Sequence, residues 1–193
     1  MIILGLTGSL AMGKSTVAAL FRKKGIPVQS ADEAVHELYK GEAVEVLKPV
    51  FPAAIMDGKV DHARLSKLLT SKEEWKKLES IVHPLVYKKR EEFLKKMRGY
   101  GAHLIVLDIP LLFETGLQNT CDAVIVVSAA HEVQKARALS RPGMSLEKLE
   151  SILSRQMPDA EKKMRAHFVI NTESSIGATE RQVDAIIRLY AGR

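Results

Sequence analysis

What most constrains this chain is a change of pattern within its first two dozen residues. A short apolar run, Ile2 to Thr7, gives way to a glycine-bounded loop, and helical spacing follows from Lys14 to Lys24. A continuous apolar run suits a strand covered on both faces, and a strand that feeds a helix opens a parallel α/β sheet. The connecting loop reads GSLAMGKST. Its glycines, Gly8 and Gly13, are separated by four residues, with Lys14 and Ser15 directly after. This is the G-x-x-x-x-G-K-[ST] spacing of a phosphate cradle.

The chemistry of that spacing is specific. Glycines let the backbone close round phosphate oxygens, so that successive amides donate to them, and the helix that follows presents its positive N-terminal end. The stretch Gly8, Ser9, Leu10, Ala11, Met12, Gly13, Lys14, Ser15 and Thr16 is therefore the expected ATP-binding segment. Lys14 would reach the β- and γ-phosphates, the Ser15 hydroxyl would ligate a magnesium ion that bridges them, and Thr16 would support the helix start.

Further along, Pro27 to Ser30 reads as a second short strand and Ala31 to Tyr39 as a helix. From Glu42 to Arg98 the pattern is helical, with no convincing strand. Breaks are expected near Pro49 to Pro52, at MDGK, at Ser71 and at His83-Pro84. The helix expected after Pro84 carries Val86, Phe93, Leu94 and Met97 on its packed side, with Lys88, Lys89, Arg90, Lys95, Lys96 and Arg98 on a solvated one. His103 to Pro110 and Asp122 to Ser128 are two further buried strands, each expected to lead, at once or nearly so, into a helix. Glu132 to Ser140 and Ser145 to Met157 read as helices around RPG, His167 to Asn171 as a last strand, and Ser175 to Tyr190 as a closing helix. Alternation of this kind implies a parallel sheet with right-handed crossovers.

Composition narrows the function classes. At 193 residues, 46% of them apolar, the chain suits one principal core, and no window is apolar for long enough to span a bilayer. MIILGLTG lacks a basic n-region, so it is expected to be a strand rather than a signal peptide. The lone Cys121 has no partner for an internal disulfide, in keeping with a cytoplasmic protein. The formal charge of +6 would suit nucleic acid or polyphosphate, but aromatic residues make up only 5% and the positive charge is not gathered in one tail. No nucleic-acid or membrane partner is expected.

A GTPase would need N-K-x-D or T-K-x-D, and a transport ATPase a second glycine-rich signature; neither is present. A small-molecule kinase remains. It needs a group to orient and deprotonate the attacking hydroxyl, and a cationic lid to screen the transferring phosphoryl. Asp32, just past the second strand, is the candidate base, beside the phosphate loop if the first two strands are near neighbours; its alternative is a helix cap. Arg141, in ARALSRPGMS, is the candidate lid cation, with Arg137 one turn before it and Arg155 on the next helix; a surface position is the alternative for each. Asp108 ends a strand where a second acid commonly approaches the magnesium shell, and a cap before Pro110 is its alternative.

Nearly end to end, the chain resembles the dephospho-coenzyme A kinase family. The resemblance rests on GLTGSLAMGKSTV, SADEAVHELY, LESIVHPLVYKKREEF, VLDIPLLFE and RPGMSLEKLESILSRQMPDAEKKMRAHFVIN, in that order. It implies a P-loop kinase fold: one domain whose core covers about 1–41, 100–139 and 167–193, with a helical acceptor-binding insertion at about 42–99 and a helical lid at about 140–166. It also implies transfer of the ATP γ-phosphoryl group to the ribose 3′-hydroxyl of dephospho-coenzyme A, with magnesium. By matched motif, Asp32, Lys14 and Arg141 are the implied catalytic groups, and His83, Asp108, Leu111 and Glu114 fall in stretches that would meet the acceptor. His83 has a capping or buried structural role as its alternative. Ser9, Ser30 and the VINT stretch depart from the commonest family pattern. The other readings left open are a kinase for another small hydroxyl compound and a non-catalytic ATP-binding module. A monomer or weak homo-oligomer is expected.

Overall fold

A computed structural model describes residues 1–191. In chain order the elements are β1 (Ile2–Thr7), α1 (Lys14–Lys23), β2 (Val28–Ser30), α2 (Ala31–Leu38), α3 (Glu42–Leu47), β3 (Ile55–Met56), β4 (Lys59–Val60), α4 (His62–Leu68), α5 (Lys72–Gly99), β5 (Leu104–Asp108), β6 (Ala123–Ser128), α6 (His131–Leu139), α7 (Leu146–Leu153), α8 (Asp159–Arg165), β7 (Phe168–Asn171) and α9 (Ile176–Ala191). They form two compact units. One comprises Met1–Val28 together with the chain from Tyr100 onwards, the other Gln29–Gly99.

β1, β5, β6 and β7 of the first unit belong to a five-stranded sheet in the order β2-β5-β1-β6-β7. The first two strands are therefore not neighbours: β5 lies between them. β1 runs parallel to both β5 and β6, and β6 runs parallel to β7. Every residue of β5 and β6 is buried, which is why these segments carry apolar residues continuously rather than alternately. Val17, Ala18, Leu20 and Phe21 of α1 share one core with Leu4, Leu6, Ile125 and Val127 of the sheet and with Val183 and Ile186 of α9. The helix expected after β5 is replaced by turns and a 3-10 turn at Leu117–Thr120, because Pro110 and the left-handed Gly116 (φ 71°) punctuate the stretch. The helix expected to run to Met157 ends at Leu153, and α8 follows as a separate element.

The second unit is mainly helical, but it differs from expectation at three points. Residues read as strandless contain a hairpin, Ile55 pairing with Val60 and Met56 with Lys59, turned by Asp57-Gly58 with φ of 50° and 70°. This is the Asp-Gly turn that matches strand twist, on strands too short to reveal alternation. Secondly, α5 runs without interruption through Pro84. The missing N–H costs about 3 kcal/mol in a helix interior, whereas burying one large apolar side chain contributes roughly 1.5–3 kcal/mol. Leu78 and Val82 before the proline and Leu94 after it are all buried, so packing outweighs the defect. Thirdly, Arg90 is buried rather than solvated, 8% exposed, with its guanidinium 4.7 Å from the centre of the Tyr87 ring.

Candidate active site

The phosphate loop leaves β1 at a point where no side chain fits. A Cβ on Gly8 would lie 2.6 Å from the Val127 carbonyl oxygen, so the loop can cross β6 only as glycine. Gly13 is needed for a second reason: its φ is +96° and a Cβ there would press on Thr172. Gly13 is also the N-cap residue of α1, and no side chain caps that helix. Its first amides and its dipole are thus directed toward the loop, the arrangement that favours an anion.

The loop is held from several sides. Gln134 Nε2 donates to the Leu10 carbonyl at 2.9 Å, and the Leu10 N–H donates to Gln156 Oε1 at 3.2 Å. Thr172 Oγ1 donates to the Met12 carbonyl at 2.7 Å. Arg137 in turn donates to Thr172 Oγ1 at 2.9 Å and to its carbonyl at 2.6 Å. Ser9, Ala11 and Met12 are buried, while Ser15 and Thr16, on the first turn of α1, are exposed.

Lys14 and Asp108 are brought together by strand register. Leu6 of β1 faces Asp108 at the end of β5, and the loop begins two residues after Leu6, so Lys14 Nζ reaches Asp108 Oδ1 at 2.5 Å. Their side chains are 13% and 6% exposed. No α-helix starts at Pro110 for Asp108 to cap. Leu111 is exposed in the turn that follows.

Glu114 is engaged elsewhere. Its Oε1 accepts from the Met157 N–H at 2.7 Å and lies 2.9 Å from Lys162 Nζ, a side chain with no exposed surface. The pair is close, but Lys162 Nζ makes no well-aligned hydrogen bond among the described residues, so the contact is chiefly ionic. Arg141 is exposed between α6 and α7, and its side chain forms no bond among the described residues.

Asp32 and His83 belong to the second unit. Asp32 sits exposed in the first turn of α2; the cap there is Ser30, whose Oγ accepts from the Glu33 N–H at 3.3 Å. His83 lies exposed in the middle of α5, which excludes both the capping and the buried alternatives. Sequence reasoning missed Gln134, Gln156, Thr172 and Lys162. A buried glutamine on an amphipathic helix leaves no pattern, because its partner is a backbone atom distant in sequence.

Oxygen donors of the kind magnesium prefers are present at the Ser15 hydroxyl and the Asp108 carboxylate. No cluster of three or more acidic, histidine or cysteine side chains among the described residues would cage a metal by itself. The donor set fits an ion held jointly with phosphate oxygens.

A parallel sheet whose first strand delivers a glycine-bounded phosphate loop, a lysine and a neighbouring buried carboxylate defines a P-loop kinase fold. The profile of the dephospho-CoA kinase family matches residues 2–178, and the chain belongs to that family. It is 49% identical over 194 residues to a dephospho-CoA kinase of Mesorhizobium japonicum, covering 100% of this chain and 98% of that one. Among solved structures, a Thermus thermophilus protein superposes with a TM-score of 0.85 at 36% identity, over 97% of both chains. A dephospho-CoA kinase from Campylobacter jejuni gives 0.68 at 26% identity, over 97% of this chain and 96% of that one.

Proposed function

We propose that the protein transfers the γ-phosphoryl group of ATP to the ribose 3′-hydroxyl of dephospho-coenzyme A, giving coenzyme A and ADP. The observation that carries this reading is the phosphate loop with Lys14 set against Asp108, in a chain that belongs to this family over nearly its whole length. The O3′–Pγ bond forms as the bond from Pγ to the ADP oxygen breaks, and Asp32 takes the proton from the hydroxyl. Lys14 and the loop amides bind the phosphates and offset their charge, and Arg141 screens the transferring group. Ser15 and Asp108 would hold magnesium, which when bound neutralises charge on the β- and γ-oxygens. The helical insertion at about 42–99, with His83, serves acceptor binding, as do Leu111 and Asp108.

The protein acts in the cytoplasm on small molecules, as a monomer or weak homo-oligomer. No helix among the described residues is long and apolar enough to cross a membrane. The test is ADP release with magnesium-ATP and dephospho-coenzyme A, beside coenzyme A and simple nucleosides as acceptors. Turnover confined to dephospho-coenzyme A is expected. Equal turnover of a nucleoside would overturn the acceptor assignment.

A further inference from the structure

Among the described residues only two other than glycine have positive φ, Ala11 at 63° and Asp57 at 50°. Asp57 occupies a hairpin turn, where a short polar side chain tolerates that conformation. Ala11 has no such excuse: it lies inside the phosphate loop, and a left-handed alanine is strained because its Cβ crowds the following carbonyl. Such a conformation persists only where the surroundings over-determine it.

The surroundings are identifiable. The peptide groups of Leu10, just before the strained residue, are gripped at both ends, its carbonyl by Gln134 of α6 and its N–H by Gln156 beyond α7. Gln134 is only 3% exposed and its side chain has no other partner among the described residues, so its amide is committed to this grip. Ala11 is 6% exposed and packs with Ala138 of α6 and Leu149 of α7. Two glutamines therefore fix the orientation of the peptide that enters the strained turn, and the turn aims the amides that follow.

We propose that Gln134 and Gln156 are positioning residues for ATP, which hold Ala11 in its left-handed conformation so that the loop is preformed for phosphate. The proposal rests on the reading that this loop holds ATP phosphates. It makes a prediction that a merely structural role does not: the clamp matters because residue 11 is alanine, and a glycine there needs no clamp.

The test is a kinetic double-mutant cycle. Gln156→Ala should raise KM for magnesium-ATP about five- to thirty-fold, the range spanned by the strain of one left-handed residue. kcat and KM for dephospho-coenzyme A should change by less than about twofold. In an Ala11→Gly background, whatever its own KM, the same substitution should raise KM for ATP by less than about twofold. Gln134→Ala, treated in the same way, gives a second, independent cycle. An equal rise in both backgrounds, or no rise in folded Gln156→Ala protein, overturns the proposal. Lys14→Ala is measured in parallel: an unchanged KM for ATP there overturns the phosphate reading itself, whereas failure of the glycine rescue overturns the clamp alone.

Discussion

The phosphate loop and the groups proposed for the acceptor side are built on opposite plans. Leu10 and Met12 of the loop are fastened by Gln134, Gln156 and Thr172, and Lys14 is fastened by Asp108. Asp32 and His83 stand exposed on helices of the second unit, and neither side chain has a hydrogen bond or ion pair among the described residues. A group that must hold a fixed polyphosphate gains from preorganisation, since the ordering cost is met during folding. A group proposed to exchange a proton, as Asp32 is, gains instead from being left uncommitted.

The sharpest way to break this contrast is at its two ends. Asp32→Asn keeps shape and removes the proposed base, and turnover should fall by about two to four orders of magnitude while ATP binding persists. Calorimetric titration with ATP beside steady-state rates separates the two effects; near-normal turnover would end the base assignment. Lys14→Ala should act on the other side, weakening ATP use by about two to three orders of magnitude, as loss of one charge-stabilising donor does.

Glu114 tests where the fastened region stops. Its place in VLDIPLLFE suggests the acceptor site, yet its carboxylate meets the buried Lys162 and the Met157 N–H. Glu114→Gln should cost about 3–5 kcal/mol, because it leaves a fully buried ammonium without its counter-charge. Adding Lys162→Met should recover most of that loss, since an apolar side chain of similar length carries no charge to solvate. Urea denaturation measures both. Unchanged stability together with a raised KM for dephospho-coenzyme A would return Glu114 to the acceptor site.

The same contrast explains what could be read in the sequence. The strand, loop and helix of the first unit were legible because each carries a local signature: a continuous apolar run, glycines at fixed spacing, then helical period. Gly8 and Gly13 are where they are for steric reasons that the motif already encodes. The grip of Gln134 and Gln156 on Leu10 was not legible, because it joins residues far apart through backbone atoms that any sequence would offer. Pro84 misled in the opposite direction: its local rule predicts a break, and the apolar side chains on either side override it. At Asp57-Gly58 the turn signal was present, but two-residue strands give alternation nothing to act on.

The smallest expected effect concerns the second unit, whose order comes mainly from apolar packing. It carries a stacked pair of titratable rings, His62 and His36, 5.2 Å apart, with the Tyr39 ring 4.7 Å from His62. Partial burial, and then the charge of His36, lower the His62 pKa below its ordinary value, while Asp61 opposes the shift. A histidine whose folded pKa is depressed binds fewer protons in the native state than in the unfolded chain, so stability rises with pH across that interval. Stability should therefore be complete above about pH 6.5, the ordinary histidine value, and decline as pH falls through it. His62→Gln should flatten that part of the pH profile in thermal unfolding while leaving Gln134, Gln156 and the loop they hold untouched. A slope that survives in His62→Gln would place the pH-sensitive group elsewhere and remove the stack as the second unit's acid-sensitive point.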